Sequence, residues 1–297
     1  MELKTLITHN GGFHSDDIFA AATLFLLLEK KFRLHVVRTR DEKIVARGNY
    51  VFDVGGIYNP KKRRFDHHQK GGAGKRENKI SYASFGLVWK EYGEKICGSK
   101  KIAEIIDRRL VEPIDATDNG DAIFKPLFKD VYPYTIQDFF FLFNPTWKEK
   151  AANIDSIFLK LVLTAKTIIS REIVKARHTE DARIIVNSLY RQAKDKRLIV
   201  MEHEYPWKDI VSDYKNVLYV IHPDVKNKTW AIRTVRNTAK SFQNRKDLPK
   251  SWAGERNHRF QKITGISDAL FCHNKRFVAV ARSKEGALKL AQIALNS

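Results

Sequence analysis

Apolar and polar positions divide the first half of the chain into short runs of two kinds. Leu3 to Thr8, Leu34 to Arg38 and Tyr50 to Val54 are rich in β-branched and other apolar residues and read as strands, the third stopped by Gly55-Gly56. After the first strand comes Ile18 to Leu28, 11 residues without a charge, bounded by Asp16-Asp17 and Glu29-Lys30-Lys31. With Ser15 as its N-cap, this run predicts a helix to about Lys31 that is apolar on every side and therefore buried. Ser81 is placed to cap a helix through Cys97, and Ser99 another to about Leu110. Such alternation predicts a largely parallel sheet flanked by helices.

From Asp130 to Trp147 the pattern turns aromatic, with Tyr132, Tyr134, Phe139 to Phe141, Phe143 and Trp147 interrupted by Pro133 and Pro145. This segment is expected to pack between domains. Two helices follow, from about Asn153 to His178 and from about Asp181 to Asp195. Strand-like runs at Leu198 to Glu202, Val217 to His222, Thr229 to Val235 and Phe277 to Ala281 precede a last helix from about Lys284 to Leu295. The expected fold is α/β, a parallel-sheet N-terminal domain with a smaller α+β C-terminal domain. The boundary falls near residue 195, give or take tens of residues, separating 1–195 from 196–297.

Composition narrows the function. Of 297 residues, 43% are hydrophobic and 30% charged, which is a globular balance. The longest apolar run is too short for a bilayer, which takes about 20 residues, and it follows acidic residues instead of a basic leader. No membrane span or signal peptide is expected, and the cytoplasm is the default location. Only Cys97 and Cys272 are present, which excludes a disulfide scaffold and a Cys-rich zinc module. Lys and Arg total 54 against 34 acidic residues, a net charge of +20 that points to a polyanionic partner such as nucleic acid, anionic lipid or phosphorylated metabolites.

Histidines and aspartates gather where such a partner would need them. His9, His14, Asp16 and Asp17 lie at the end of the first strand and the start of the next helix; Asp53 ends the third strand; Asp66-His67-His68 follows; Asp115 and Asp118 come later. Ligands of open α/β sheets bind beyond the carboxyl ends of the strands. Imidazole, carboxylate and water suit Mn²⁺ or Mg²⁺, with Zn²⁺ also admissible. The set exceeds the needs of one ion, so two divalent ions sharing Asp53 are expected. Singly, each has a plainer reading: Asp16 and Asp17 favour a helix N-terminus through its dipole, and Asp118-Asn119-Gly120 reads as a turn.

Cations flank these residues. Lys61-Lys62-Arg63-Arg64 precedes Asp66, and Lys70, Lys75, Arg76 and Lys79 follow in a Gly-rich loop, which would set them at the mouth of the crevice. That loop is no P-loop, since Gln69 and Arg76 stand where the pattern needs Gly and Ser or Thr. Farther on, Trp230, Arg233, Arg236, Lys240, Phe242, Arg245, Lys246 and Trp252 interleave cations with aromatics, the composition of a surface that pairs phosphates and stacks bases.

The segments Thr8-His9-Asn10-Gly11-Gly12-Phe13-His14-Ser15-Asp16-Asp17, Phe52-Asp53-Val54-Gly55-Gly56, Phe65-Asp66-His67-His68-Gln69 and Ile114-Asp115-Ala116-Thr117-Asp118-Asn119-Gly120 resemble the MYG1 (UPF0160) family, a branch of the DHH phosphoesterase superfamily. The likeness continues at Asn144-Pro145-Thr146-Trp147, at Asn244 to Pro249 with Trp252, and from Thr264-Gly265-Ile266 to Glu285-Gly286-Ala287-Leu288. The resemblance implies a metal-binding α/β domain, a smaller C-terminal domain that closes over substrate, and phosphodiester or phosphoanhydride hydrolysis with two divalent ions, commonly Mn²⁺. It further implies a 3′–5′ exonuclease acting on RNA or short oligonucleotides. The alternatives are a hydrolase of a small phosphorylated metabolite, pyrophosphate or a nucleotide, and a non-catalytic nucleic-acid binder. Oligomeric state, a homodimer included, is left open.

Carried over by position, the resemblance gives His9 and His14 to one ion, Asp16 and His67 to the second, Asp53 to both, and Asp118 as the last ligand in preference to Asp115. His14 stands where the superfamily's first signature usually has Asp. Asp66 would orient His67, and His68 would contact the phosphate or protonate a leaving group. Arg233, Arg245 and His273 are the expected substrate contacts of the C-terminal domain.

Overall fold

In the computed structural model, which describes residues 1–150, 153–238 and 241–297, the chain divides into two compact units, Met1–Ala176 and Arg177–Ser297. The first opens with β1 (Leu3–Thr8), α1 (Ser15–Leu28), β2 (Arg33–Arg38), α2 (Glu42–Arg47) and β3 (Tyr50–Phe52). A short hairpin, β4 (Tyr58–Asn59) and β5 (Arg64–Phe65), turns through a 3₁₀ segment at Pro60–Lys62. There follow α3 (Ser84–Cys97), α4 (Lys100–Ile106), a π-helical turn at Asp107–Val111, α5 (Glu112–Asp118) and α6 (Ile136–Phe141).

The sheet order is β2-β1-β3-β5-β4, parallel throughout except for β4. The carboxyl ends of β1, β3 and β5 therefore share one edge. The apolar run of α1 is buried from Ile18 to Leu24 and at Leu28, with Phe25 to Leu27 half-buried, and Phe19 is stacked on Phe85 of α3 and edge-on to Phe140 of α6. Burying each such ring is worth about 1.5–3 kcal/mol, so α1 is the pin on which the site's backbone is fixed. In the aromatic segment Phe140 is buried while Tyr132, Tyr134 and Trp147 are exposed.

Two helix starts differ from expectation for one reason. His14, not Ser15, is the N-cap of α1; the amide and hydroxyl of Ser15 both donate to Gln137 Oε1, at 2.8 and 2.5 Å. Helix α3 begins at Ser84, not after Ser81, because its first amides are capped by Asp16: Ser84 N–H reaches Oδ2 at 3.1 Å and Phe85 N–H reaches Oδ1 at 2.6 Å. A cap supplied from α1 leaves no local signature. The two helices expected over 153–195 are one, α7 (Ile154–Gln192), which contains no Gly or Pro to break it and which runs across the division between the units.

The second unit continues with β6 (Leu198–Val200), α8 (Lys208–Val211), β7 (Tyr219–Asp224), β8 (Thr229–Thr234), a 3₁₀ turn at Lys250–Trp252, α9 (Asn257–Thr264), β9 (Ala269–Cys272), β10 (Val278–Ala281) and α10 (Lys284–Asn296). Its sheet runs β6-β7-β8-β10-β9 and only β6 and β7 are parallel, the α+β arrangement expected of the smaller domain. Tyr219, Ile221, Ile232, Trp252, Phe260 and Leu290 form its core. Among the described residues no helix is long and apolar enough to cross a membrane.

Candidate metal centre

Three parallel strands deliver their next residues to one edge of the first sheet: His9 after β1, Asp53 after β3, and Asp66-His67-His68 after β5. Helix α1 starts there with His14, Asp16 and Asp17, and α5 ends there with Asp118. Asp53 takes a left-handed φ of 54°, which an aspartate tolerates and which ends β3 sharply. Its two oxygens face different histidines: Oδ2 lies 3.2 Å from His9 Nε2 and Oδ1 lies 3.3 Å from His67 Nε2. Asp118 likewise reaches two, His14 Nδ1 at 3.4 Å and His67 Nε2 at 3.3 Å.

The potential ligand atoms fall into overlapping groups, His9-His14-Asp53, Asp16-His67-Asp118 and Asp53-His67-His68, within each of which they lie no more than 4.8 Å apart. All six residues expected to hold metal are thus brought together, as is His68. Asp115 is not among them. It is buried three positions before Asp118, where it accepts from Gly86 N–H at 2.9 Å and pairs with Arg76 Nη1 at 2.7 Å. Burial lifts its carboxyl to about 7 even against that arginine.

Surrounding groups hold the ligands still. His9 Nδ1 lies 3.0 Å from the Asn10 carbonyl, a contact satisfied by Nδ1–H, so that Nε2 is the nitrogen that faces Asp17 and Asp53 and would exchange its proton for a metal ion. Asp17, a member of the first cluster with the helix dipole as its plainer reading, accepts from His14 N–H at 3.0 Å and sets its other oxygen 3.3 Å from His9 Nε2. Asp66 departs from its expected role. Its Oδ1 accepts from the amides of His67 (2.7 Å) and His68 (3.1 Å) and lies 2.7 Å from His68 Nδ1, and its Oδ2 accepts from Gly56 N–H at 2.5 Å. It orients the His68 ring and the His67 backbone, not the His67 ring. Asn144 pins Phe13 through both its amide N–H and its carbonyl.

The electrostatics are those of a pocket made for cations. Burial opposes the charge on His9, yet Asp17 and Asp53 outweigh it and lift the imidazole to about 10. His14 is raised chiefly by Asp118; burial opposes the charge on His67, but Asp53 prevails and raises it. Asp16, fully buried and facing Asp118, Asp53 and Asp115, is pushed well above the usual carboxylate range, whereas His67 and His9 hold Asp53 below it against the opposing effect of burial. His67 Nε2 and Asp17 Oδ2 are buried without a well-formed hydrogen bond despite neighbours at 3.3 Å. Bonds of about 2.0–2.1 Å to one ion set adjacent ligand atoms about 3.0–3.4 Å apart. The spacings here match. The residues fit divalent metal.

The flanking cations are less uniform than their sequence suggests. Because β5 is parallel to β3, Lys61, Lys62 and Arg63 precede it toward the edge opposite the ligands, and Arg64 donates to the carbonyls of Lys62 and Ala46. Arg76 is buried between Asp107 and Asp115 over the Tyr82 ring, so it braces the fold. Lys70, Lys75 and Lys79 are exposed.

Residues 5–295 match the model of a family described as "Uncharacterised protein family (UPF0160)" and named for the MYG1 exonuclease. The chain belongs to this MYG1 family. The MYG1 protein of Schizosaccharomyces pombe is 27% identical, the alignment covering 99% of this chain and 98% of the yeast protein. The protein named MYG1 exonuclease in Homo sapiens is 28% identical over 97% of this chain and 85% of its own length. Among solved structures, RecJ from Thermus thermophilus in complex with Mn²⁺ aligns with 99% of this chain and 52% of its own, at 11% identity and a TM-score of 0.29.

The C-terminal unit of this MYG1-family chain has a cavity of about 740 Å³ lined by Trp207, Lys208, Arg233, Arg236, Phe242, His273, Lys275 and Phe277, among others. Two of the three expected substrate contacts, Arg233 and His273, line it. Arg245 does not: its guanidinium donates to the carbonyls of Tyr214 (2.5 Å), Val217 (3.0 Å) and Ser212 (3.0 Å), so it staples loops together. Phe242 is 87% exposed with Arg236 over its ring, while Trp252 is core, and Lys240 lies outside the described residues.

Proposed function

We propose that this chain is a metal-dependent phosphodiesterase, a 3′–5′ exonuclease that removes nucleotides from RNA or short oligonucleotides with two divalent ions, Mn²⁺ above others. The observation that carries the reading is the position of Asp53, whose two oxygens each face a different histidine-aspartate group. Relatives named MYG1 exonuclease, similar along nearly the whole chain, support it. His9, His14 and Asp53 would hold one ion, and Asp16, His67 and Asp118 the other, with Asp53 between them. Divalent metal at such a site supplies Lewis acidity toward phosphate oxygens and toward water.

The chain's own groups supply the rest. The Asn10 carbonyl, accepting from Nδ1–H, keeps His9 in one tautomer and orientation. His68 has a side chain 61% exposed, and its Nδ1 is tied to Asp66. That hydrogen bond raises the imidazole's affinity for a proton against the opposing effect of burial, which lets Nε2 carry one to a departing oxygen. In the C-terminal unit, Arg233, Arg236, Lys208 and Lys275 offer charge to phosphates, and Phe242, Phe277 and Trp207 offer faces to bases. The size of that cavity suits a terminal nucleotide better than a duplex.

A substrate panel tests this: labelled RNA, single-stranded DNA, dinucleotides and pyrophosphate, each with Mn²⁺, Mg²⁺ or EDTA. Stepwise loss of 3′ nucleotides from RNA with Mn²⁺ is expected. Phosphate release from pyrophosphate alone would replace the proposal with a small-metabolite hydrolase, and salt-sensitive binding without turnover would replace it with a binding protein.

A further inference from the structure

Arg233 and Arg245 differ in how their guanidinium groups are used. Arg245 spends its terminal nitrogens on three backbone carbonyls. Arg233 lines the cavity of the C-terminal unit, and among the described residues its only side-chain hydrogen bond is from Nε–H to His222 Nε2, at 3.2 Å. No carboxylate lines that cavity among the described residues. His222 lies on β7, is 2% exposed and lines no part of the cavity, and its Nδ1 lies 3.0 Å from the Pro223 carbonyl. The proton positions follow from the partners. Arginine only donates, so Nε2 must carry the lone pair, and Nδ1 then bears the hydrogen that the carbonyl accepts. This bonding exists only while the ring is neutral, because a second proton would set two donors against each other.

We propose that His222 is the positioning residue for Arg233: a buried neutral imidazole that fixes the guanidinium by its Nε–H so that the two terminal nitrogens present a fork to a phosphate ester in the C-terminal cavity. The ligand chemistry is a nucleotide phosphate, as the end of an oligonucleotide or as a free mononucleotide. The inference rests on the proposed nucleotide substrate but not on hydrolysis or on the metal centre. Burial lowers the pKa of His222, and Arg233 on β8 acts in the same direction; Glu204 beyond β6 and Asp224 on β7 oppose them, as does the Pro223 carbonyl, without prevailing. The ring is therefore neutral at neutral pH and gains its proton only in acid.

The sign of the acid response separates this mechanism from bulk charge. Protonating any other histidine adds positive charge and strengthens phosphate binding, whereas protonating His222 releases Arg233 and weakens it. The test uses the full chain in EDTA, with dissociation constants for a fluorescent single-stranded RNA and for adenosine monophosphate measured from pH 5 to 8, and near-ultraviolet circular dichroism to verify the fold. His222→Leu, which has no acceptor, should weaken both ligands on the order of 10-fold at pH 7.5. His222→Gln, a non-titrating acceptor, should restore most of that loss, and its affinity divided by that of wild type should rise as pH falls. In an Arg233→Met background His222→Leu should have no further effect. An effect that persists without Arg233, or unchanged affinity in folded His222→Leu, would overturn the proposal, as would a wild type that binds neither ligand. RNA binding without adenosine monophosphate binding assigns the fork to the oligonucleotide end. Binding that follows this pattern in a protein that never hydrolyses RNA with Mn²⁺ would refute the exonuclease while leaving the role of His222 in place.

Discussion

Asp66→Asn isolates the residue that organises the most backbone at the site for the smallest change in shape. The carboxylate receives four donors, three of them backbone amides, at 2.5–3.1 Å. In the asparagine variant the oxygen can still serve His67 and His68, but the new amide nitrogen then confronts Gly56 N–H, and the charge is gone. Losing a hydrogen bond to a charged group costs about 1.5–3 kcal/mol, and leaving the part-buried Gly56 N–H without its acceptor adds up to about 1 kcal/mol. A loss of about 2–4 kcal/mol is therefore expected. At about 2–4 °C per kcal/mol for a unit of this size, the melting temperature should fall by about 5–15 °C. Burial opposes ionisation of Asp66, but His68 and the amides of Gly56 and His68 outweigh it and lower its pKa. The stabilisation is therefore complete above the carboxyl's unfolded value near 4 and is lost as pH falls through the lower folded value. Wild type and variant should differ fully at pH 7 and converge in strong acid. Because the same carboxylate fixes the His67 backbone, Mn²⁺ affinity should drop about 10–100-fold. Calorimetric unfolding and Mn²⁺ titration read the two effects separately. A variant that melts and binds Mn²⁺ like wild type would refute the assignment of Asp66 as the organiser of this loop.

Other substitutions probe different links. Asp118→Asn should lower metal affinity while shifting metal-free stability by less than about 1 kcal/mol, whereas Asp115→Asn, which removes one of the two carboxylates around Arg76 and sets a side-chain amide against Arg76 or Gly86 N–H, should cost about 1–3 kcal/mol in denaturant melts; the reverse order would exchange their roles. Gly86→Ala should be poorly folded, since its Cβ would stand 1.8 Å from Asp115 Oδ2 and 2.9 Å from Arg76 Nη2, and soluble yield and melting temperature report it. Arg245→Met should lower stability and leave RNA affinity nearly intact when binding is measured on the folded fraction, while Arg233→Met should do the opposite. Affinity for single-stranded RNA in EDTA should fall linearly on a plot of log K against log salt, as counterion release requires, and a flat plot would contradict a phosphate-tracking surface.

What could be read in advance was whatever depends on local pattern. The strands β1, β3 and β8 and the helices α1 and α10 follow from runs of apolar residues. His9, Asp16 and Asp53 were legible because each sits at the end of a recognisable strand or the start of a recognisable helix, whereas His67 and Asp118 follow or end elements that no run of residues marks, β5 and α5, and stand out by their Asp-His-His and Asp-Asn-Gly motifs. The remainder is built from contacts distant in sequence. Asp16 capping α3, Gln137 holding Ser15, Asn144 holding Phe13 and Arg76 clasping Asp115 each join segments no pattern links. Arg233 and Arg245 looked equivalent as cations among aromatics; only the carbonyls around one and the buried histidine behind the other tell them apart. The two-residue strands β4 and β5 offer too few residues for a period to register, and β9, Ala-Leu-Phe-Cys, has no β-branched residue to mark it.

The claim on which the rest depends is that Asp53 is shared by two cations. Crystals grown with Mn²⁺ and measured at the manganese absorption edge decide it. Two anomalous peaks about 3.5–4 Å apart are expected, each within ligating distance of one Asp53 oxygen, one beside His9 and His14 and the other beside Asp16, His67 and Asp118. A single peak, or a pair that leaves Asp53 unligated, would contradict it.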